Sequence, residues 1–137
     1  MKSSVILSMG LVAMLTTAAN AKTYICTVSP DGHDTGWISN TIGINIDDNT
    51  GKVLVSDGII LNAYKRPISA VVVTNTDKRF TIKWEVSGEK DVRNVTYTRV
   101  MYRVTILKAR GNRAIVRSRA AGYSDSLGAS GRCVVRK

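Results

Sequence analysis

The chain has 137 residues, of which 44% are hydrophobic and 22% are charged, and its formal net charge at pH 7 is +10. This length suits one globular domain and excludes an arrangement of several. Residues 22–92 contain eight basic and nine acidic residues, whereas residues 93–137 contain eleven basic residues and a single acidic one, Asp125. Positive charge concentrated in this way indicates a negatively charged partner.

The first 21 residues have the organisation of a secretory signal peptide. Met1-Lys2 supplies a short positive start, residues 5–15 form an apolar run, and Ala19-Asn20-Ala21 supplies a small-x-small cleavage site. The run is too short to span a membrane. We therefore expect cleavage after Ala21 and a periplasmic or secreted domain, residues 22–137, with no integral membrane span. The anionic partners to consider are an envelope glycolipid, a membrane surface, an acidic polysaccharide and nucleic acid.

Two cysteines, Cys26 and Cys133, lie close to the two ends of this domain. In an oxidising compartment, cysteines at such positions predict one disulfide that ties the ends together. Closing a loop of about 100 residues would stabilise the fold by up to about 4 to 5 kcal/mol. A redox pair or a metal-ligand pair is the alternative, but the spacing is neither Cys-x-x-Cys nor that of a zinc site.

Short apolar segments, several with period-2 alternation, recur about every ten residues and predict a series of β-strands separated by turns. The predicted strands that precede the basic region are residues 23–28, 42–47, 52–56, 69–74 and 79–86. Residues 59–61 are apolar without a break, which predicts a strand buried on both sides or a bulge at Gly58. We find no helical repeat of apolar residues. The pattern predicts an all-β fold, a single antiparallel barrel or sandwich of about eight strands.

Residues 93–123 are predicted to form a two-stranded hairpin with eight basic and no acidic residues. Apolar or small residues occupy the even positions of both strands and are expected to face inward. The outward positions include Arg99, Arg103, Arg117 and Arg119. A three-residue turn at Arg110-Gly111-Asn112 would satisfy this parity, with glycine and asparagine available for positive φ. It would pair Arg103 with Arg119, Thr105 with Arg117, Leu107 with Ile115 and Arg99 with Tyr123.

Two guanidinium groups placed directly opposite each other are unfavourable unless an anion or a carboxylate lies between them. This predicts an anion-binding face formed by Arg99, Arg103, Arg117 and Arg119. The alternative is that these arginines block edge pairing and keep an exported protein soluble. Tyr102 is predicted to point inward, which argues against an aromatic platform for single-stranded nucleic acid.

Residue patterns for catalysis, metal binding and cofactors are weak. His33 lies between Asp31 and Asp34 in a predicted loop, and this group has too few ligands for a specific zinc site. No serine lies in a Gly-x-Ser-x-Gly motif. Residues 47–51 lack the spacing of a calcium loop and predict a turn. We therefore predict no catalytic residues, no metal site and no cofactor.

Several fragments together resemble a group of small, exported, uncharacterised bacterial β-domain proteins. The fragments are Tyr24-Ile25-Cys26-Thr27, Gly36-Trp37-Ile38, residues 78–84, residues 102–108, Ala121-Gly122-Tyr123 and Gly131-Arg132-Cys133. This resemblance implies an exported, compact domain and no particular activity. The chain is more loosely similar to periplasmic lysozyme-inhibitor barrels in its size, its export signal and its disulfide. Their inhibitory loop motif is not evident, so no inhibitory residue is carried over.

The sequence thus predicts an exported, non-enzymatic protein that binds an anionic envelope component or another polyanion through the basic hairpin. One alternative is a carrier of a small apolar ligand, with a cavity lined by Ile42, Val72, Phe80, Trp84 and Tyr102. Another is an inhibitor of a cell-wall lytic enzyme that acts through a loop formed by residues 122–131. The oligomeric state is not predicted.

Overall fold

The computed structural model describes residues 21–32, 36–90, 93–94, 96–97 and 99–137. Residues 1–20 of the predicted signal peptide, and His33, lie outside the described residues. None of the helices in the described ranges has the length and hydrophobicity needed to cross a bilayer.

Eight antiparallel strands form a closed barrel in the order β1-β10-β9-β8-β5-β4-β3-β2. Two further strands, β6 and β7, form a separate two-stranded sheet. The prediction of an all-β barrel or sandwich is confirmed, and the closed sheet decides in favour of the barrel. The strands are β1 Ala21–Pro30, β2 Thr41–Asp47, β3 Val53–Asp57, β4 Ile68–Asn75, β5 Arg79–Val86, β6 Glu89–Lys90, β7 Thr96–Tyr97, β8 Val100–Leu107, β9 Arg113–Ala120 and β10 Leu127–Arg136.

The core lies inside the barrel and consists of side chains from alternating strand positions, as the period-2 pattern predicts. Every even position of β5 and β8 is buried, as are Ala114, Val116 and Ser118 of β9. Thr81 is also buried, although it lies on the outward side, and its hydroxyl is 3.2 Å from the hydroxyl of Thr105. An eight-stranded barrel has an interior just wide enough for side chains to fill.

The prediction of a strand or bulge at residues 59–61 was wrong. The segment forms a short helix, α1 Gly58–Tyr64, with Ile60 fully buried. The backbone amide of Ile60 donates to the Asp57 carboxylate at 2.8 Å, and Lys65 ends the helix in a left-handed conformation. Aspartate is among the best residues for starting a helix. A seven-residue helix is too short to show an apolar repeat, so the unbroken apolar run at residues 59–61 did not indicate a helix.

The carboxylate of Asp57 is buried at the start of α1. Burial raises the pKa of Asp57, and hydrogen bonds from the Ile60 and Ile59 amides and from Ser39 oppose this effect. The carboxylate starts α1 at the point where the chain leaves β3. Its charge therefore makes the stability of this end of the barrel sensitive to pH.

The predicted disulfide between Cys26 and Cys133 is confirmed. The two residues face each other across β1 and β10, with their Cα atoms 3.9 Å apart and a sequence separation of 107. Near this bond, a methyl group added to Gly131 would overlap the carbonyl oxygen of Thr27. Glycine is therefore required where the first and last strands come close together and close the barrel.

Candidate anion-binding face

The basic hairpin forms, but its predicted register was wrong by two residues. Arg103 lies opposite Arg117, not Arg119, and Met101 lies opposite Arg119. The strands are joined by five residues, because a 3₁₀ turn at Lys108–Arg110 precedes Gly111 and Asn112. Gly111 and Asn112 both have positive φ, as expected. A shift of two residues preserves the side-chain parity, so the arginines still face outward.

A row of basic residues crosses the barrel at the level of Arg103. Lys83 on β5 pairs with Arg103 on β8, which pairs with Arg117 on β9. Residues directly opposite in antiparallel strands have Cβ atoms about 4.5–5.5 Å apart. Lys83 was not among the residues predicted for the site. The pairing of β5 with β8 spans a long stretch of chain, and no local pattern indicates it.

Two of the four predicted arginines form ion pairs. Arg99 Nη1 lies 3.8 Å from Glu85 Oε2, and Arg117 Nη1 lies 3.5 Å from Asp31 Oδ2. The four side chains of these two ion pairs are each about half exposed. Exposed ion pairs contribute between 0 and about 1 kcal/mol to the free energy of unfolding. These contacts therefore offset only part of the repulsion on this face.

The Arg117–Asp31 contact depends on Gly128, which lies opposite Arg117 on β10. A methyl group at this position would overlap the guanidinium of Arg117 and would lie 2.7 Å from Asp31 Oδ2. The same carboxylate accepts a hydrogen bond of 3.0 Å from the hydroxyl of Ser130. The absent side chain of Gly128 thus leaves room for Arg117 to reach the end of β1.

Lys83, Arg103 and Arg119 make no ion pair with any residue that the structure describes. Together with Arg117 they surround an open depression of about 320 Å³ on the barrel surface. We call it the cationic depression. Its remaining lining residues are Met101, Tyr102, Ser118, Ser124 and Ser126.

The structure therefore brings three of the predicted residues, Arg103, Arg117 and Arg119, into one depression and adds Lys83. Arg99 lies outside this lining, beside Glu85. The hydroxyl-bearing residues Ser124 and Ser126 come from the connection between β9 and β10. The four cations and the two exposed serines, Ser124 and Ser126, provide donors for the oxygens of a phosphate, sulfate or carboxylate.

Protection of a sheet edge does not explain Arg103 and Arg117. In the closed barrel, β8 is hydrogen-bonded to β5 and β9, and β9 is hydrogen-bonded to β8 and β10. Arg103 and Arg117 therefore lie where their strands are paired on both sides, with no free edge to block, whereas the pairing of β9 with β10 ends at Ser118, one residue before Arg119. A general contribution to solubility is the alternative that an experiment must separate from binding.

The residues proposed to line an apolar cavity occupy two kinds of environment. Ile42, Phe80, Trp84 and Tyr102 are buried, and the last two rings stack at 5.5 Å between centroids. Val72 is 40% exposed, so it does not line an enclosed cavity as predicted. Phe80 stacks on Tyr24, with 5.9 Å between the ring centroids, so these aromatic side chains are parts of the core.

The loop predicted at residues 122–131 is shorter than expected, because β10 begins at Leu127. Residues 128–131 pair with β9 on one side, and residues 129–131 pair with β1 on the other. Runs such as Gly128-Ala129-Ser130-Gly131 suggest a loop from composition alone. In the structure this run is part of β10. Gly131 lets β10 lie close to the backbone of β1, and Gly128 leaves room for the side chain of Arg117.

The described chain is thus a closed antiparallel barrel of eight strands with a cationic depression on its outer surface. No protein-family model, curated protein or solved structure matches the chain. Within the described ranges, no group of three or more His, Cys, Asp or Glu side chains is placed to hold a metal ion.

Proposed function

We propose that this protein is an exported, non-enzymatic binding protein that engages an anionic envelope component through the cationic depression. The proposal rests on the row of Lys83, Arg103 and Arg117 and on Arg119, which lies beside the row. Of these four cations, Arg117 alone forms an ion pair, with Asp31, among the described residues. The confirmed disulfide fits the oxidising compartment to which the predicted signal peptide would direct the chain.

The electrostatics of the row favour an anionic ligand. Two like unit charges about 6 Å apart in water repel by about 0.7 kcal/mol. An oxyanion between two such groups replaces repulsion with attraction and accepts charge-assisted hydrogen bonds from both guanidinium groups. Arginine suits this role because its planar fork matches the geometry of a phosphate or carboxylate.

The test measures binding of heparin and of inorganic polyphosphate over a series of salt concentrations. We expect the logarithm of the affinity to fall linearly with the logarithm of salt concentration, since binding releases counterions. The double variant R103T/R119T should weaken binding at least tenfold and reduce the salt slope by about 2. These two arginines have no ion pair within the described residues, so the substitutions break none of the pairs described above.

The matched control is R66T/R136T, which removes the same charge from exposed positions in the α1–β4 turn and on β10. A general contribution to solubility predicts equal effects of the two double variants on polyanion binding. Equal losses in R103T/R119T and R66T/R136T, or no binding by the native protein, would overturn the proposed function.

A further inference from the structure

The cationic depression belongs to a larger surface that combines positive charge with apolar side chains. A second depression, of about 470 Å³, lies towards the opposite end of β8. Its lining contains three cations and three apolar residues, with Thr105 between them. These residues are Lys78, Arg79, Arg110, Leu107, Ala109 and Ile115.

Three consecutive valines on β4 extend this surface. Val71, Val72 and Val73 are 58%, 40% and 41% exposed, and Val71 pairs with Lys83 of the cationic row. A register shift between Val72 and Thr74 interrupts the pairing of β4 with β5 at this point. The described pairing of β3 with β4 ends at Ala70, so β3 does not cover the valines. An exposed apolar cluster beside charged residues marks an interaction surface.

The surface of β4, β5, β8 and β9 covers four adjacent strands of the eight. Within the described residues of these strands and of the β4–β5, β8–β9 and β9–β10 connections, the acidic residues are Asp77, Glu85 and Asp125. Asp125 and Arg119 line a neighbouring depression, and Arg117 pairs with Asp31 at the end of β1. Glu85 is paired with Arg99. The basic residues in the same ranges are Lys78, Arg79, Lys83, Arg103, Lys108, Arg110, Arg113, Arg117 and Arg119.

We propose that this surface, which we call the docking face, binds the surface of an anionic phospholipid bilayer. The inference rests on the proposed function and names the partner of the same site. The basic side chains contact headgroup phosphates, and Val71 and Val73 enter the boundary between headgroups and acyl chains. A soluble polyanion would leave the valines in water, whereas a bilayer offers both charge and an apolar layer along one extended surface.

The experiment is cosedimentation of the protein with vesicles of phosphatidylcholine, with and without phosphatidylglycerol. We expect binding only to the anionic vesicles, weakening as salt is added. Each basic residue near such a surface raises the affinity on the order of fivefold. The variant R103T/R119T should therefore bind anionic vesicles at least tenfold more weakly than the native protein, and R66T/R136T should lose clearly less affinity.

The variant V71T/V73T tests the apolar part of the face. Threonine keeps the branched shape and the β-propensity of valine but removes an apolar methyl group. We expect affinity for anionic vesicles to fall roughly tenfold and heparin binding to remain unchanged. The control V134T changes a valine that is 62% exposed on β10, four strands from β4 in either direction around the barrel. It should leave both measurements unchanged.

Hydrogen exchange of the native protein supplies a second measurement that needs no substitution. Amides of residues 71–75 should become protected when anionic vesicles are added and should not change when heparin is added.

The outcomes separate the two proposals. Heparin binding that depends on Arg103 and Arg119, without binding to anionic vesicles, would overturn the bilayer inference and leave the proposed function in place. Vesicle binding that V71T/V73T does not weaken, or that R103T/R119T does not weaken, would also overturn it. If R103T/R119T and R66T/R136T lost equal affinity for heparin, that result would instead overturn the proposed function.

Discussion

Arg103 and Arg117 lie directly opposite each other on β8 and β9, on the outer surface of the barrel. Arg117 has Asp31 at 3.5 Å, whereas Arg103 lies between Arg117 and Lys83 and has no ion pair among the described residues. The fold therefore keeps a cation in an unfavourable position. A bound anion would relieve this repulsion, which is why the row is the centre of the proposed site.

The first prediction concerns the stability cost of this arrangement. Replacing Arg103 with threonine removes two like-charge contacts, so the free energy of unfolding at low ionic strength should rise by about 0.5 kcal/mol. The gain should shrink as salt is added, because salt screens exposed charges. Urea unfolding at low and high salt measures it, with R136T as the control. A loss of stability in R103T at low salt would contradict the prediction.

The second prediction compares two glycines on β10. At Gly131 an added methyl group meets the backbone of Thr27, which cannot move without disturbing β1, so Gly131→Ala should destabilise the protein by about 3 kcal/mol. At Gly128 the methyl group meets the ends of the Arg117 and Asp31 side chains, which can rotate away. Gly128→Ala should therefore cost about 0.5 kcal/mol. Thermal and urea unfolding of both variants check the order, and similar losses would contradict it.

The third prediction concerns the effect of pH through Asp57. Burial raises the pKa of Asp57 above its ordinary value of 3.8, so the folded protein holds this proton more tightly than the unfolded chain does. The contribution of Asp57 is therefore fully present below pH 3.8 and is lost as pH rises through the raised pKa of the folded state. Asparagine can start the helix equally well but carries no charge. The difference in unfolding free energy, Asp57→Asn minus native, should grow with pH across this window.

Urea titrations of both proteins at several pH values measure that difference. The variant Asp57→Ala serves as a control for the helix start, because it also lacks the charge but cannot accept the hydrogen bond from Ile60. It should be about 1 kcal/mol less stable than Asp57→Asn at every pH. A constant difference between Asp57→Asn and the native protein would show that burial of the charge has no effect.

The fourth prediction concerns the bond between Cys26 and Cys133. The double variant C26A/C133A should lose about 4 kcal/mol of unfolding free energy, because the bond closes nearly the whole domain into one loop. Both residues are buried, so part of the loss comes from the smaller side chains. Reduction of the native protein by dithiothreitol separates the two contributions. Unchanged stability on complete reduction would refute the prediction.

Much of the barrel could be predicted because strands leave a local signature. The alternation in residues 79–86 put Phe80 and Trp84 on the same face of the strand, the alternation in the hairpin predicted that Tyr102 points inward, and all three side chains are buried. The same alternation placed Arg103 and Arg117 outside. The helix α1 was missed because its seven residues, about two turns, are too few to show an apolar repeat, and because its start depends on the hydrogen bond from the Ile60 amide to Asp57.

Patterns in the sequence thus predicted most strands of the barrel, the side of the basic hairpin that faces the core, and the pair of cysteines that joins the ends. These properties follow from side-chain periodicity and composition, which are local. Three properties appear only in the folded chain: the sheet closes, Arg103 faces Arg117, and Lys83 and Asp31 belong to the same surface. Register depends on the backbone geometry of a connection, and neighbours on the sheet come from distant parts of the chain. A local pattern encodes neither.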